Sequence, residues 1–330
     1  MSNEIIGRDL QVGLATETIR GTAATTVEKW MRNVSVSILE RAEHVEDDSR
    51  RGVLEDMQGR RVVSKYIEGD IEGIVHVDAI GYLYSSIYGV VVSAVVAGSV
   101  YDHEFTLGQN IEHPTLTVFA KDGDAQQLKF NGCVLNTLEI SASIDNFVRF
   151  TAGIIGIGGV DNAAVPDYDT EYDFIGRDIT IKISDSEAGL SAATAIKAKS
   201  VSINHDQGAI RDQVFGANTP DNIYNAKQSI DGEFMLNFTD ETFKDLYLGN
   251  TSKYMSITIE GEADLGSGNK PTITYIFNNI MITDWTRDGG SDELVTQTVS
   301  FKAYYNETDG EASKVTLRNL TSSYSDVPSS

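Results

Sequence analysis

Five histidines (His44, His76, His103, His113 and His205) and one cysteine, Cys133, are the chain's soft metal ligands. None stands at zinc-binding spacing from another. Asp167, Asp169, Glu171 and Asp173 alternate in DYDTEYD, and alternate carboxylates are how calcium is often held. The glycine at the sixth position and the bidentate glutamate at the twelfth position of an EF-hand are missing, so the run reads as a solvated edge. Asp240 and Glu241 are an adjacent acid pair. Retaining glycosidases hold their carboxyls ~5 Å apart across a cleft, whereas neighbours at a helix start favour the helix dipole. GIIGIGG, Gly153 to Gly159, has the glycines of a phosphate loop but neither the Lys-Ser/Thr nor the helix that must follow; it reads as a bend. No G-x-S-x-G nucleophile elbow occurs. The expectation is an architectural protein: no catalytic residue, no cofactor and no metal.

Composition sets the frame. The 330 residues suffice for two domains with full cores, and 41% are apolar, as in ordinary folded domains. A single cysteine excludes an internal disulfide, which suits a reducing compartment. MSNEIIGRDLQVG lacks the basic start and apolar stretch of a signal peptide. The longest apolar run, GVVVSAVVAG from Gly89 to Gly98, is too short to span a bilayer and reads as a buried strand. No membrane binding is expected, and the chain is expected to be made in a cytoplasm. The net charge is −23. Residues 1–165 hold 13 basic and 23 acidic side chains, and 166–330 hold 13 and 26, so both halves carry the excess. Such a chain cannot grip DNA as clustered Lys and Arg do.

The chain also repeats itself. IGRDL at 6–10 returns as IGRDI at 175–179, an offset of 169 (175 − 6). SVSI at 35–38 returns at 200–203, and Ile71-Glu72-Gly73 resembles Ile230-Asp231-Gly232. Phe130-Asn131 returns as Phe277-Asn278, and then Asp145, Val148 and Thr151 meet Asp292, Val295 and Thr298 without a gap. The matches are collinear, with offsets falling from 169 through 165 and 159 to 147. Collinearity is what an internal duplication requires.

Strand signals dominate both copies: VSVSI and ITIKI alternate apolar with polar residues, and LTVFA, LEIS, MSITIE and TVSFKAYY are rich in β-branched and aromatic residues with alternating faces. Each copy has one short helix signature. Asp78 is the expected cap of AIGYLYSSIY with Gly89 beyond it, and Thr239 is the expected cap of DETFKDLYL with Gly249 beyond it. Cys133 falls where the second copy has Ile280, an apolar strand position, and reads as a core residue. The expected fold is all-β with minor helix: two tandem β-sandwich or barrel domains, each flanked by one short helix. The boundaries are 1–156 for an N-terminal arm with domain 1, 157–174 for a linker, 175–306 for domain 2 and 307–330 for a flexible tail. The stretch 39–61 reads as a charged loop or extended hairpin longer than a compact domain usually needs, with 205–224 as its counterpart.

The opening VGLATETIRGTAATTVEKWMRNVSVSI resembles that of tail tube proteins of long-tailed bacteriophages. An E-x-x-x-G-T-A arm, here Glu17 and Gly21-Thr22-Ala23, leads to an aromatic residue, Trp30, and a long strand. IGRDITIKI and a late F-N-G strand followed by S-x-D and V-x-x-T strengthen the likeness. The resemblance implies a structural virion protein whose six-domain rings stack into a tube that conducts genomic DNA. It implies no enzyme activity and no cofactor. Its partners would be itself, the tail proteins at the tube ends and DNA in non-specific passage. Its place would be the virion tail, assembled in the host cytoplasm. Two domains per chain predict a trimeric ring with pseudo-sixfold symmetry. The expected lumen-facing carboxylates are Glu139, Asp145, Asp284 and Asp292. The residues expected to reach the next ring or a neighbouring domain are Glu43, Asp47, Arg51, Asp56, Arg60, Asp206, Arg211 and Asp212. A surface-layer or fibre subunit is the alternative on the same architecture.

Overall fold

Every second residue of TQTVSFKA and of SKVTLRN is buried. That period-two pattern sends apolar side chains to a core and polar ones to an outer face. It recurs along most of the chain. The structure is a computed structural model and describes residues 6–47, 52, 54, 59–123, 126–161 and 164–324.

The first half runs β1 (Leu10–Thr16), β2 (Lys29–Met31), β3 (Val34–Val36), β4 (Leu39–Glu46), β5 (Arg60–Ile74), α1 (Ile80–Tyr88), β6 (Gly89–Ala97), β7 (Val100–Leu107), β8 (Leu116–Asp122), β9 (Gln126–Ser143), β10 (Arg149–Gly156) and β11 (Gly158–Asp161). The second runs β12 (Ile179–Ser184), α2 (Glu187–Leu190), β13 (Ala198–Asp206), β14 (Ile210–Asp212), β15 (Asn222–Tyr224), β16 (Ser229–Asn237), α3 (Thr242–Gly249), β17 (Lys253–Glu260), β18 (Thr272–Asp288), β19 (Thr296–Ala303) and β20 (Ser313–Asn319). The fold is all-β with minor helix, as expected.

The two halves pair their strands in the same order. In the first the ladder runs β1–β8–β9–β10–β5, with β3 and β4 on the far edge of β5. In the second it runs β12–β17–β18–β19–β16–β13. All these pairs are antiparallel. The registers agree as well. β9 skips Asn136 between the pairs Thr137↔Gly153 and Leu135↔Ile154. β18 skips Thr283 between Asp284↔Ser300 and Ile282↔Phe301. Both bulges lie at one offset (283 − 136 = 300 − 153 = 147). A second irregularity, between Leu116↔Cys133 and Val118↔Phe130, is matched between Lys253↔Ile280 and Met255↔Phe277. Bulges bend strands, and each long strand changes neighbours along its length: β9 from β8 and β11 to β10 and β13, and β18 from β17 and β20 to β19. Register also selects between two similar tripeptides. Ile67 faces Gly156 as Ile230 faces Ala303, so the partner of Ile230-Asp231-Gly232 is Ile67-Glu68-Gly69, not the Ile71-Glu72-Gly73 that sequence similarity also offers.

The halves are joined edge to edge. The C-terminal part of β9 pairs with β10 on one side and with β13 on the other, from Thr137↔Asp206 to Ser143↔Ser200. They also share one core. Val12, Ile71, Phe105 and Ile154 belong to the same buried cluster as Ile203, Phe234, Phe277 and Val315. All nine residues of α1 are buried. Its Tyr84 hydroxyl meets that of Tyr275 on β18, and its Tyr88 hydroxyl meets His205 Nε2 on β13 at 2.9 Å.

Several expectations are corrected. The valine-rich run forms β6, but Val92 and Val95 are 62% and 64% exposed. Among the described residues β6 pairs with β7. Neither Asp78 nor Thr239 caps a helix. Ala79 begins α1 with no side-chain cap, and Asp240 Oδ1, not Thr239, accepts the Thr242 N–H. The left-handed residue after α3 is Asn250 (φ 47°), one beyond Gly249. The linker is not a solvated edge throughout, because the Glu171 side chain is 1% exposed. Within the span expected to be a flexible tail, β20 pairs with both β18 and β7, and Tyr324 is 5% exposed. Its hydroxyl donates to the Asp78 carbonyl at 2.8 Å. Its aromatic area is what draws this polar stretch inward.

Candidate functional surface

Partners across an antiparallel ladder lie on one face of the sheet. Starting from Arg149, one row crosses the junction as Arg149–Ser141–Ser202–Glu233–Ser300–Asp284. A second row runs Ser35–Glu72–Thr151–Glu139–Asn204–Asp231–Lys302–Met281. The opposite face of the same strands carries Leu138, Ile140, Ile203 and Phe234, all buried. This polar face is built from small hydroxyl and amide side chains interspersed with carboxylates. Asp70 shares it through its pairing with Gly153 opposite Thr137. Ser35 Oγ donates to Glu72 Oε1 at 2.8 Å. A shallow depression of about 440 Å³ opens on it at the junction, between Glu139, Arg149 and Glu233.

Two of the expected lumen residues, Glu139 and Asp284, stand on this face. Asp145 and Asp292 do not; they occupy exposed turns at the end of the β9–β10 and β18–β19 hairpins. Sequence reasoning missed Glu72, Asp231 and Glu233. Their signal was available, since each is the polar member of an alternating strand.

The charged loops meet each other. Leu39–Glu46 and Arg60–Ile74 form one projecting hairpin, β4–β5, and β4 is exposed throughout. The small hairpin β14–β15 of the second half packs against it. Arg211 Nη2 reaches Glu43 Oε1 at 3.1 Å and its guanidinium lies 3.6 Å from the Tyr66 ring centre. Gln213 donates to Ser64 Oγ at 2.7 Å. Asp47 donates its N–H to the Gly59 carbonyl, and Arg60 faces Glu46 at the start of β5. Asp206 accepts from the Gly208 N–H, and Asp212 pairs with Asn222. Arg51 and Asp56 lie outside the described residues.

The arm is anchored by a buried carboxylate. Glu17 is 3% exposed and accepts from the hydroxyls of Thr115 (2.6 Å) and Thr117 (2.9 Å) and from the N–H groups of Gly21 and Gly132 (both 2.8 Å). Burial pushes its pKa up, and those hydrogen bonds oppose the rise. Gly132 has φ +60°, which orients its N–H toward the carboxylate at low strain only for glycine. Arg20 then ties the arm to the second half, donating to Asn222 Oδ1 at 2.7 Å and to the carbonyls of His113 and Ile223.

Among the described residues no group of three or more His, Cys, Asp or Glu could hold a metal ion. Cys133 is fully buried, and burial pushes its thiol pKa up. His205 is fully buried, which lowers its pKa to about 4 and keeps it neutral. Hydrogen bonds from Thr242 hold Asp240 below the usual carboxylate range, and Glu241 pairs with Lys244 at 2.9 Å. GIIGIGG is the end of β10 and the start of β11, where the chain passes from one layer to the other. No described helix is long and apolar enough to cross a membrane.

A family model described as phage tail tube protein matches residues 7–303. No curated protein matches the chain significantly.

Proposed function

Since the chain belongs to the phage tail tube protein family, a structural family of the virion tail, we propose that three copies close into a ring of pseudo-sixfold symmetry and that such rings stack into a tube conducting DNA. On this reading the two halves are copies of one tube domain. The shared pairing order and the two bulges repeated at an offset of 147 support it.

The observation that carries the reading is the continuous polar face. Turned inward, it lines a bore with Glu72, Glu139, Asp231, Glu233 and Asp284 against Arg149 and Lys302. A duplex presents about one phosphate charge per 1.7 Å. Carboxylates spread over such a wall repel it within about 10 Å at moderate ionic strength, so the wall offers DNA no site at which to lodge. Hydroxyl and amide side chains such as Ser141, Thr151, Ser202 and Asn204 stand between them.

Electron microscopy of the purified protein tests this. Hollow tubes, or rings with a central pore and three chains each, are the expected outcome. Solid fibres, or particles with no pore under every assembly condition, would overturn it.

A further inference from the structure

A junction between two halves already exists inside the chain, and the repeated registers say what its counterpart between chains must be. Within the chain, the second edge of β9 at 137–143 pairs with the second edge of β13 at 200–206. The counterpart of that β9 segment is 284–290, at the β9-to-β18 offset of 147. The counterpart of that β13 segment is 35–41, because Ser35↔Glu72 and Glu40↔Ile67 occupy the ladder positions of Ser200↔Met235 and His205↔Ile230 (200 − 35 = 205 − 40 = 165). Among the described residues, Asp284–Asp288 pairs only with β19, and β3 and β4 pair only with β5. The continuous sheet therefore ends in two open edges, each the counterpart of an edge that is closed at the internal junction. Open edges offer unpaired backbone donors and acceptors to another strand.

We propose that the 284–290 segment of one copy pairs antiparallel with the 35–41 segment of the next, in the register that the internal junction prescribes; this rests on the ring reading above. Thr137↔Asp206 becomes Asp284↔Arg41, Glu139↔Asn204 becomes Thr286↔Leu39, and Ser141↔Ser202 becomes Asp288↔Ser37. The charges fit. Asp284 and Arg41 face each other directly on the polar side. On the other side Trp285 faces Glu40 and Arg287 faces Ile38, which sets Arg287 diagonal to Glu40, within reach of long side chains. The contact is head to tail, so it closes only if the rotation per copy divides the circle. With alternate junctions built into each chain, closure at three copies makes six equivalent junctions.

Paired cysteines read the register. Thr286→Cys with Leu39→Cys places two thiols opposite each other across the interface, and the buried Cys133 does not compete. Thr286→Cys with Ser37→Cys shifts one thiol by two residues, beyond the ~7 Å that a disulfide tolerates between Cα atoms. Under mild oxidation of assembled protein the first pair is expected to give about tenfold more covalent product than the second. Its non-reducing ladder is expected to end at the trimer. Tubes that form while the shifted pair links as well or better would overturn the register and leave the tube reading intact. A ladder running past three would overturn closure, and wild-type protein forming neither rings nor tubes would end both readings. The charges give a second test: Arg41→Asp is expected to abolish assembly and Asp284→Arg to restore it in the double variant. Equal assembly of Arg41→Asp and wild type would refute the pairing.

Discussion

The most heavily loaded carboxylates in this molecule fasten distant segments to one another. Glu17 fastens the arm, and its motif could be read in advance, because E-x-x-x-G-T-A supplies the acceptor and one of the donors. Thr115, Thr117 and Gly132 supply the rest from about a hundred residues away, and no local pattern announces them. Glu171 is the opposite case. In sequence it sits in an alternating acidic run. In the fold it is buried beside Lys29 at 3.3 Å and accepts the Ala79 N–H at 3.0 Å. Burial pushes its pKa up to about 7 from 4.5, with Lys29 opposing. The folded state therefore binds this proton more tightly than the unfolded chain. Its contribution to stability is complete below about pH 4.5 and is lost as pH rises through about 7, by up to about 3 kcal/mol. Glu171→Gln is expected to flatten the dependence of the denaturation midpoint on pH between 5 and 8. An unchanged slope would show that the carboxyl is ionised throughout.

At the level of elements, the strands were legible because most of them bury one face and alternate. The order of pairing was not, because it is decided between strands far apart in the chain. The repeat recovers much of it, since a register read in one half applies to the other. Helix α1 was found, but its cap was misread: Asp78 is engaged with Lys29 and Thr321 and α1 is held by burial instead. β6 defeats the run-of-valines rule because Val90, Val92, Val95 and Val96 are exposed. Tyr324 shows why the tail was misjudged: one aromatic ring outweighs a stretch of Ser, Thr and Asp. It packs over Gly81 of α1, where an added Cβ would come within 2.1 Å of the Tyr324 Cζ. Gly81→Ala is expected to cost about 3 kcal/mol by expelling the ring. The same change in a Tyr324→Ala background is expected to cost far less, and additive losses in the denaturant midpoints would show that the two do not touch.

For the whole molecule, charge and shape act together. The net charge of −23 could have meant solubility alone. Six of its carboxylates, Asp70, Glu72, Glu139, Asp231, Glu233 and Asp284, lie on the continuous face that crosses the junction. Replacing Glu72, Glu139 and Glu233 by Lys together is expected to leave tubes able to form and to slow DNA release from particles that carry them. The effect should shrink as ionic strength rises, because added salt weakens phosphate contacts. Release at wild-type rate in low salt would count against the repulsive wall.

The β6–β7 hairpin occurs in the first half and has no counterpart in the second, where α3 passes directly to β17. The two halves are thus alike along the junction sheet and unlike at this edge. In a ring of three chains the bore would repeat six times per turn, while the valine-edged hairpins would repeat three times. Whatever docks on those hairpins from the next ring or from another tail component would find stations 120° apart and could be seated in only three rotational settings.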